Sequence, residues 1–431
     1  MWPTRRRLKK RRKTEPKVRA VCGSEGPARV PDAILETGTT ILRVKRNSPP
    51  LSPLPMRLRS LDAFRGFTVA AMIMVNNPGD WGHIYAPLEH APWNGWTPTD
   101  LIFPFFLFIV GVSITFALKP APGLRSGLAD DSGQVGKIIR RGALLFALGF
   151  FLNLFPRFDF ATVRIMGVLQ RIGLVYVACS LLYRRTTPRQ QAGLAAVILV
   201  GYCLLLTAVP VPGVGYANLD PETNLSAWLD RTVLTTAHVY RPAKVWDPEG
   251  LLSTLPAVAT GLLGLLAGCS LQNTTYGSAA RESQKALFLF LAGLALALAG
   301  TLLNPLFPIN KALWTSSYVL LTGGLALCGL AIFYYLIDVR RNYRWSGVLV
   351  AFGVNAITVF FLSGLIPRMM NLILVNVNGE QKGLKEYLYR TFITPPFADP
   401  RSASLAGALT LIAIWAIILW TMYKRRIIIK V

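Results

Sequence analysis

Only three histidines occur in the 431 residues, and one of them keeps company that chemistry would need. His90 lies in a stretch, residues 57–118, that reads RLRSLDAFRGFTVAAMIMVNNPGDWGHIYAPLEHAPWNGWTPTDLIFPFFLFIVGVSITFAL. Glu89 precedes it and Trp93, Asn94, Gly95 and Trp96 follow it. Asp62 and Asp100 stand at the starts of the two flanking apolar segments. An imidazole titrates near neutrality and can take a proton or an acyl group. A carboxylate such as Asp62 or Asp100 would orient it, as the third member of a catalytic triad does. A solitary loop histidine would be read as bonded to a backbone carbonyl; the crowd of polar groups around His90 favours catalysis. His83, beside Gly82 and near Tyr85, reads as a surface residue, and His238 has no evident partner.

Other ionisable and amide groups sit inside or at the mouths of apolar runs, where an unpaired charge is costly. Asp62 and Arg65 are one helical turn apart, a spacing suited to an internal ion pair that either packs helices or serves the site. Asn76 and Asn77 end the same segment, where they either bond a polar ligand or cap the helix. Gln170 and Arg171 fall within VRIMGVLQRIGLVY (163–176), and Asp247 and Glu249 within DPEGLLSTLPA (247–257). Asn310, Lys311, Trp314, Ser316 and Ser317 fall within PINKALWTSSYVL (308–320). Asp247 and Glu249 are equally suited to a helix N-terminus, whose dipole favours negative charge.

Membrane-spanning helices must hold these groups. Hydrophobic residues make up 52% of the chain and mean hydropathy is +0.43, too apolar for a soluble enzyme of this length. Apolar runs of about twenty residues recur, each able to cross a hydrocarbon core. Spans are predicted at 61–77, 100–118, 138–155, 166–183, 190–209, 251–271, 285–303, 316–337, 347–366 and 403–423. The fold class is all-α, a polytopic membrane helix bundle of about ten transmembrane helices. With both termini cytoplasmic, the inner loops hold Lys119, Arg125, Lys137, Arg140 and Arg141, then Arg184, Arg185 and Arg189, then Arg281 and Lys285. Arg340, Arg341 and Arg344 follow, and Lys424, Arg425, Arg426 and Lys430 close the chain. Residues 78–99 contain no Lys or Arg, so the excess of inner cations puts the His90 loop outside, periplasmic in the inner membrane of a Gram-negative cell.

A net charge of +25 would suggest nucleic acid as the partner of a soluble protein. Here a basic amino-terminal stretch and the inner loops explain it, so the expected partner is the lipid bilayer and not nucleic acid. Residues 1–55 carry 14 Lys and Arg against Glu15, Glu25, Asp32 and Glu36. They show no apolar period and read as a disordered basic extension without the apolar core of a signal peptide. Met56, directly before RLRSLDAFRG, is read as the true start of a transmembrane domain over 56–431. Among Cys22, Cys179, Cys203, Cys269 and Cys328 no pair has metal spacing, so neither a disulfide framework nor a metal site is expected. LKEYLYRTFI (384–393) reads as a short interfacial helix, and Gly264 and Gly268 as a small-residue contact between helices.

Five stretches taken together resemble the transmembrane acyltransferases related to heparan-α-glucosaminide N-acetyltransferase. They are SLDAFRGFTV with VNN, HAPWNGWTPTDLIFPFFLFIVG, RIMGVLQRIGLVY, DPEGLLSTLPA and NKALWTSSYVL, in order between about 57 and 423. The long luminal domain of the animal enzyme, and the helix after it, find no counterpart, so bacterial members are the closer likeness. The resemblance implies transfer of acetyl from cytosolic acetyl-CoA, a co-substrate, to the amine of a glucosamine-type sugar across the membrane. It matches His90, in its H-A-x-W-N-G context, to the family's active histidine. On this picture His90, Asp62 and Asp100 are catalytic, and Arg140, Arg141, Gln170 and Arg171 hold the CoA phosphates. Arg65, Asn76, Asn77, Trp93, Asn94, Asp247, Glu249, Asn310 and Lys311 contact the sugar, and no metal takes part. Acyl transfer to an amine needs a base and donors for the tetrahedral oxyanion, which fits His90 with Asn77, Asn94 or tryptophan N–H groups. Some bacterial members have been regarded as permeases, so the rival reading is a secondary transporter for N-acetylglucosamine or a related amino sugar. A transporter also needs buried polar groups and broken helices. A homodimer is compatible with either.

Overall fold

The computed structural model describes residues 58–118, 131–272, 279–377 and 380–429. The expected disordered extension 1–55, the choice of Met56 as start, and the loop cations Lys119, Arg125 and Lys430 lie outside these residues.

The described chain is helical almost throughout. In order come α1 (Arg59–Asn76), α2 (Ile102–Ala117), α3 (Asp131–Leu154), α4 (Val168–Arg185) and α5 (Pro188–Ala208). A short α6 (Leu225–Leu234) lies in the long loop before α7 (Thr254–Gln272), α8 (Ala279–Leu303) and α9 (Ser316–Phe333), which runs on as a π-helical turn, Tyr334–Val339. After α10 (Gly347–Val354) and α11 (Ala356–Met370) come a two-stranded ribbon, a short α12 (Leu384–Leu388) and α13 (Pro400–Lys424). Local chemistry sets the starts. Thr187 accepts the Gln190 N–H ahead of α5, whose first residue is Pro188, and Asp399 accepts the N–H groups of Arg401 and Ser402 ahead of α13.

Each of the ten predicted spans falls on helix. Six of the described segments are long and apolar enough to cross a membrane: Pro98–Ala117, Pro188–Ala208, Thr254–Gln272, Ala280–Leu303, Ser316–Val339 and Pro400–Lys424. A seventh is counted if α10 and α11 are one bent span. The remaining three predicted spans, α1, α3 and α4, are helices of 18, 24 and 18 residues. They are less apolar because each carries three or more charges, among them Arg59, Asp62 and Arg65 on α1, Lys137, Arg140 and Arg141 on α3, and Arg171, Arg184 and Arg185 on α4.

Two corrections follow. The chain is not wholly α: Leu374–Val377 (β1) and Glu380–Gly383 (β2) pair antiparallel, with Leu374 opposite Gly383 and Val377 opposite Glu380. The span predicted at 347–366 is two helices bent by 79°. At the break, Asn355 turns its amide to the carboxy-terminal tail, donating to the Ile427 carbonyl (3.3 Å) and accepting from the Ile429 N–H (2.9 Å).

Packing separates a lipid face from a tight interior. α5 exposes Val197, Val200 and Leu204, α8 exposes Leu287, Leu291, Leu294 and Leu298, and α13 exposes Ile414, Ile417 and Ile418. These recur every three or four residues along one face, and hydrocarbon is the environment that such faces fit. Inside, a Cβ on Gly264 would overlap the Phe108 carbonyl of α2, and one on Gly268 would overlap the Thr115 side chain. Likewise a Cβ on Gly353 of α10 would overlap the Asp62 carbonyl of α1. Small residues let these backbones approach closely, the main route to helix contact where no hydrophobic force acts between helices.

Candidate functional site

His90 sits at the end of the bundle where α1 finishes and α2 begins. Thr97 and Asp100 form a capping box over the turn Pro98–Leu101 that leads into α2. That cap fixes the carboxylate. Asp100 Oδ2 accepts the Ala91 and Thr97 backbone N–H groups, each at 3.1 Å, and the Thr97 hydroxyl at 3.2 Å. Oδ1 is thereby aimed at His90 Nδ1, 2.7 Å away, and at Lys311 Nζ, 3.2 Å away. The carboxylate is 1% exposed and the imidazole 56%, so a buried acceptor holds a ring that solutes can reach. An Nδ1–H donated to Asp100 leaves Nε2 with its lone pair, the form suited to a base or nucleophile.

Lys311 comes from the loop before α9 and lies against the same ring, with Nζ 2.9 Å from Nδ1 and 3.4 Å from Nε2. Burial pulls its ammonium below the ordinary value, while the Asp100 and Glu249 carboxylates oppose that fall. The His90 loop is pinned to its neighbours. Gly95, at φ 98°, donates its N–H to the Ile309 carbonyl (2.7 Å), and Asn310 Nδ2 donates to Asn94 Oδ1 (3.2 Å). Trp93 Nε1 donates to the Leu219 carbonyl (3.0 Å), with its ring edge-on to Trp246 at 5.1 Å.

Behind this lies a buried ion network. Arg164 donates from Nε and Nη2 to the two oxygens of Asp247, at 2.8 and 2.6 Å, and from Nη2 to Glu249. Burial raises the Glu249 carboxyl, but the cations Arg164, Arg171 and Lys311 more than reverse it and keep the group ionised. Burial likewise raises Asp247, and there Arg164 offsets it only in part. Arg171 is fully buried, donating to the Gly250 carbonyl (3.1 Å) and Ser253 Oγ (2.5 Å), with its guanidinium 5.0 Å over the Trp314 ring. Trp314 adopts φ 54°, left-handed backbone that a bulky residue rarely takes. Its indole N–H donates to Thr260 (3.1 Å) and its ring meets Phe103 and Tyr318 edge-on, which holds it there.

Two cavities share the seam between α1, α3, α4 and α11. One, of about 460 Å³, lies at the end opposite His90 and is lined by Asp62, Arg65, Ser113, Arg141 and Tyr176, with Ile428 and Ile429 of the tail. Arg65 donates to Asp62 (2.9 Å) and Ser113 (2.7 Å). Arg141 lies over the Tyr176 ring at 5.1 Å, and among the described residues its buried Nε has no partner. The other, of about 420 Å³, lies toward the His90 end and is lined by Asn76, Asn77, Asn153, Arg164, Gln170 and Arg368, among others.

The structure therefore divides the residues singled out in the sequence. His90, Asp100, Asn94, Asn310 and Lys311 come together. Asp62 does not join them: 14 residues of helix separate it from Asn76, about 21 Å of rise, and it is paired with Arg65 in the opposite cavity. Arg65 is accordingly not on the acceptor side. Asp247 and Glu249 are engaged by Arg164, and Trp93 is spent on pinning a loop. Of the proposed phosphate ligands only Arg141 lines the cavity at the end opposite His90; Arg140 is exposed, Gln170 lines the other cavity, and Arg171 is enclosed beside Trp314. Sequence reading passed over Arg164, although two acids in an apolar context ask for one cation.

The family description "Heparan-alpha-glucosaminide N-acetyltransferase, catalytic" matches residues 57–228, which include α1 to α5, the His90 loop and Arg171. The human heparan-alpha-glucosaminide N-acetyltransferase is 30% identical over 438 residues, covering 88% of this chain and 61% of that protein. The mouse protein of the same name is 30% identical over 430 residues, covering 87% of this chain and 60% of its own length. The chain thus spans about three-fifths of the curated relatives it matches. With its apolar helices this is a multi-pass membrane protein. The catalytic-region match runs through the His90 loop and the identity continues along most of the chain, so the chain is similar to the heparan-alpha-glucosaminide N-acetyltransferases well beyond the matched region.

Proposed function

We propose that this protein is an acyltransferase that moves acetyl from cytosolic acetyl-CoA to the amine of a glucosamine-type sugar on the opposite face of the membrane. The observation that carries this reading is the His90–Asp100 pair, a reachable imidazole held at 2.7 Å by a buried carboxylate within the family's catalytic region. In the direct route His90 Nε2 takes a proton from the sugar ammonium while the amine nitrogen attacks the thioester carbon. The C–S bond breaks, and CoA leaves as thiolate, which takes the second proton from the amine nitrogen while the first stays on the imidazole for release to water. In the two-step route Nε2 attacks the thioester carbon, the C–S bond breaks and CoA leaves as thiolate; the neutral amine then attacks the acetyl carbon, the bond to Nε2 breaks, and the freed imidazole takes the proton that the amine nitrogen sheds. Asn94 or the Lys311 ammonium would stabilise the oxyanion.

The cavity lined by Arg65 and Arg141 is the proposed entry for acetyl-CoA, since the partnerless Nε of Arg141 suits an anionic oxygen. In this reading α1, α3 and α4 also cross the bilayer, giving ten spans with both termini cytoplasmic and the His90 end outside. That outer side is periplasmic if the cell is Gram-negative. A second reading, a permease for an amino sugar, draws on the bent α10–α11 pair and on cavities at both ends of one seam. Purified protein in detergent, given labelled acetyl-CoA and glucosamine, separates the two, because detergent abolishes transport and leaves chemistry. Labelled N-acetylglucosamine is expected from the wild type and none from His90→Ala with an unchanged melting profile. No product from the wild type would favour the permease.

A further inference from the structure

Two cations on the wall of the cavity toward the His90 end have no carboxylate beside them among the described residues. Arg368, near the end of α11, and Lys385, in α12, both line it. Arg368 donates to the Gly364 carbonyl of its own helix (3.3 Å) and Lys385 to the Pro78 carbonyl (3.4 Å). Among the described residues neither has a carboxylate partner, and no Asp or Glu lines this cavity. Arg164, the third cation on the wall, differs, because Asp247 and Glu249 sit behind it. Burial pulls the Lys385 ammonium below its ordinary value, a penalty that a nearby anion would reverse.

The remaining wall is rich in amides. Asn153 spends its NH2 group on the Arg164 and Met166 carbonyls (2.9 and 3.2 Å), and Gln170 spends one N–H on the Ile165 carbonyl (3.1 Å). What both side chains can still offer is their amide oxygens, which accept from hydroxyl or ammonium groups, and Gln170 keeps one N–H besides. Cations for an anion and acceptors for donors, in one space of about 420 Å³, suit a sugar that carries both. The α11 end next to Arg368 also exposes Ile366, Met369, Leu372 and Ile373, so a sugar borne on a lipid could reach the same cations as a free one.

We propose that this cavity binds the acceptor by an anionic group, such as a phosphate on the amino sugar, held by Arg368 and Lys385. The proposal rests on the transferase reading above and adds a requirement to it: the acceptor is charged. The test uses the full chain in detergent with three probes, glucosamine, glucosamine 6-phosphate, and a lipid-linked glucosamine phosphate in mixed micelles. A preference for a phosphorylated form of at least tenfold in kcat/KM is expected. Arg368→Gln and Lys385→Gln each reduce that ratio severalfold, the double variant brings it near one, and Arg368→Lys keeps most of it. A preference shown only by the lipid form assigns the anion to a membrane-borne acceptor.

A second readout needs no turnover. Glucosamine 6-phosphate or the lipid form, without acetyl-CoA, should raise the thermal midpoint of the wild type and not that of the double variant. Equal kcat/KM for all probes, or a preference or midpoint shift that survives the double variant, would overturn the proposal. A cation-dependent shift with no acetylation of any probe would sink the transferase reading and leave the anion site standing.

Discussion

At the scale of single residues, the arrangement turns on one carboxylate oxygen. Asp100 Oδ2 is consumed by the cap of α2, which leaves Oδ1 for the His90 ring. Asp100→Asn keeps the shape but offers Nδ1 a neutral amide, so kcat is expected to fall about a hundredfold or more. KM for acetyl-CoA should change little; steady-state rates check this, and a variant within twofold of wild type would remove Asp100 from the machinery. Arg164→Gln should act on stability, because it leaves Asp247 and Glu249 buried without their guanidinium. A loss of about 3–5 kcal/mol is expected, read by thermal unfolding in detergent.

Asp230 gives a pH prediction. It is buried in α6, accepts the Leu251 N–H at 2.9 Å, and burial lifts its carboxyl to about 6. Because the folded value exceeds the unfolded one, its contribution is full below about pH 4 and is lost as pH rises through 6. The loss is on the order of 3 kcal/mol at most, at about 1.4 kcal/mol per pKa unit. The melting midpoint should therefore fall between about pH 4 and 6.5 and level off above, and Asp230→Asn should flatten that slope. The pairing of His90 with Asp100 was legible because ten residues of loop separate them. Asp62 was mistaken for a second candidate because residue type was weighed without helical rise, which carries it to the other end of α1.

At the scale of elements, close backbone contact is the feature most open to test. Gly353→Ala should destabilise strongly, since the added methyl would meet the Asp62 carbonyl of α1 and backbone cannot yield as a side chain can. Gly193→Ala on α5, where a Cβ meets nothing within 4 Å, should be neutral or slightly stabilising by helix propensity. Comparing the two midpoints checks the claim, and equal values would contradict it. Helix positions were readable from apolar runs, because burial in lipid leaves a length signal that needs no tertiary knowledge. The break at Asn355 was not readable: Val354, Asn355 and Ala356 interrupt no apolar period, and the bend depends on a tail more than seventy residues away. The β-ribbon did leave a trace, since Asn378-Gly379 is a hairpin dipeptide between Leu374–Val377 and Glu380–Gly383, and it was overlooked beside the longer apolar signals.

At the scale of the molecule, one seam of four helices carries a cavity lined by Asp62, Arg65 and Arg141 at one end and a cavity lined by amides with Arg164, Arg368 and Lys385 at the other. This is the layout that a reaction drawing its two substrates from opposite compartments requires. The cavities were not legible in the sequence, because they arise where α1, α3, α4 and α11 fail to fill space together. Sealed proteoliposomes of defined orientation provide the most direct measurement. Acetyl-labelled CoA is enclosed with the inner cavity, and glucosamine is supplied only to the His90 side. The expected result is labelled N-acetylglucosamine outside, free CoA accumulating inside, and neither with His90→Ala. Unmodified glucosamine appearing inside the vesicles, or product formed equally well by His90→Ala, would contradict it.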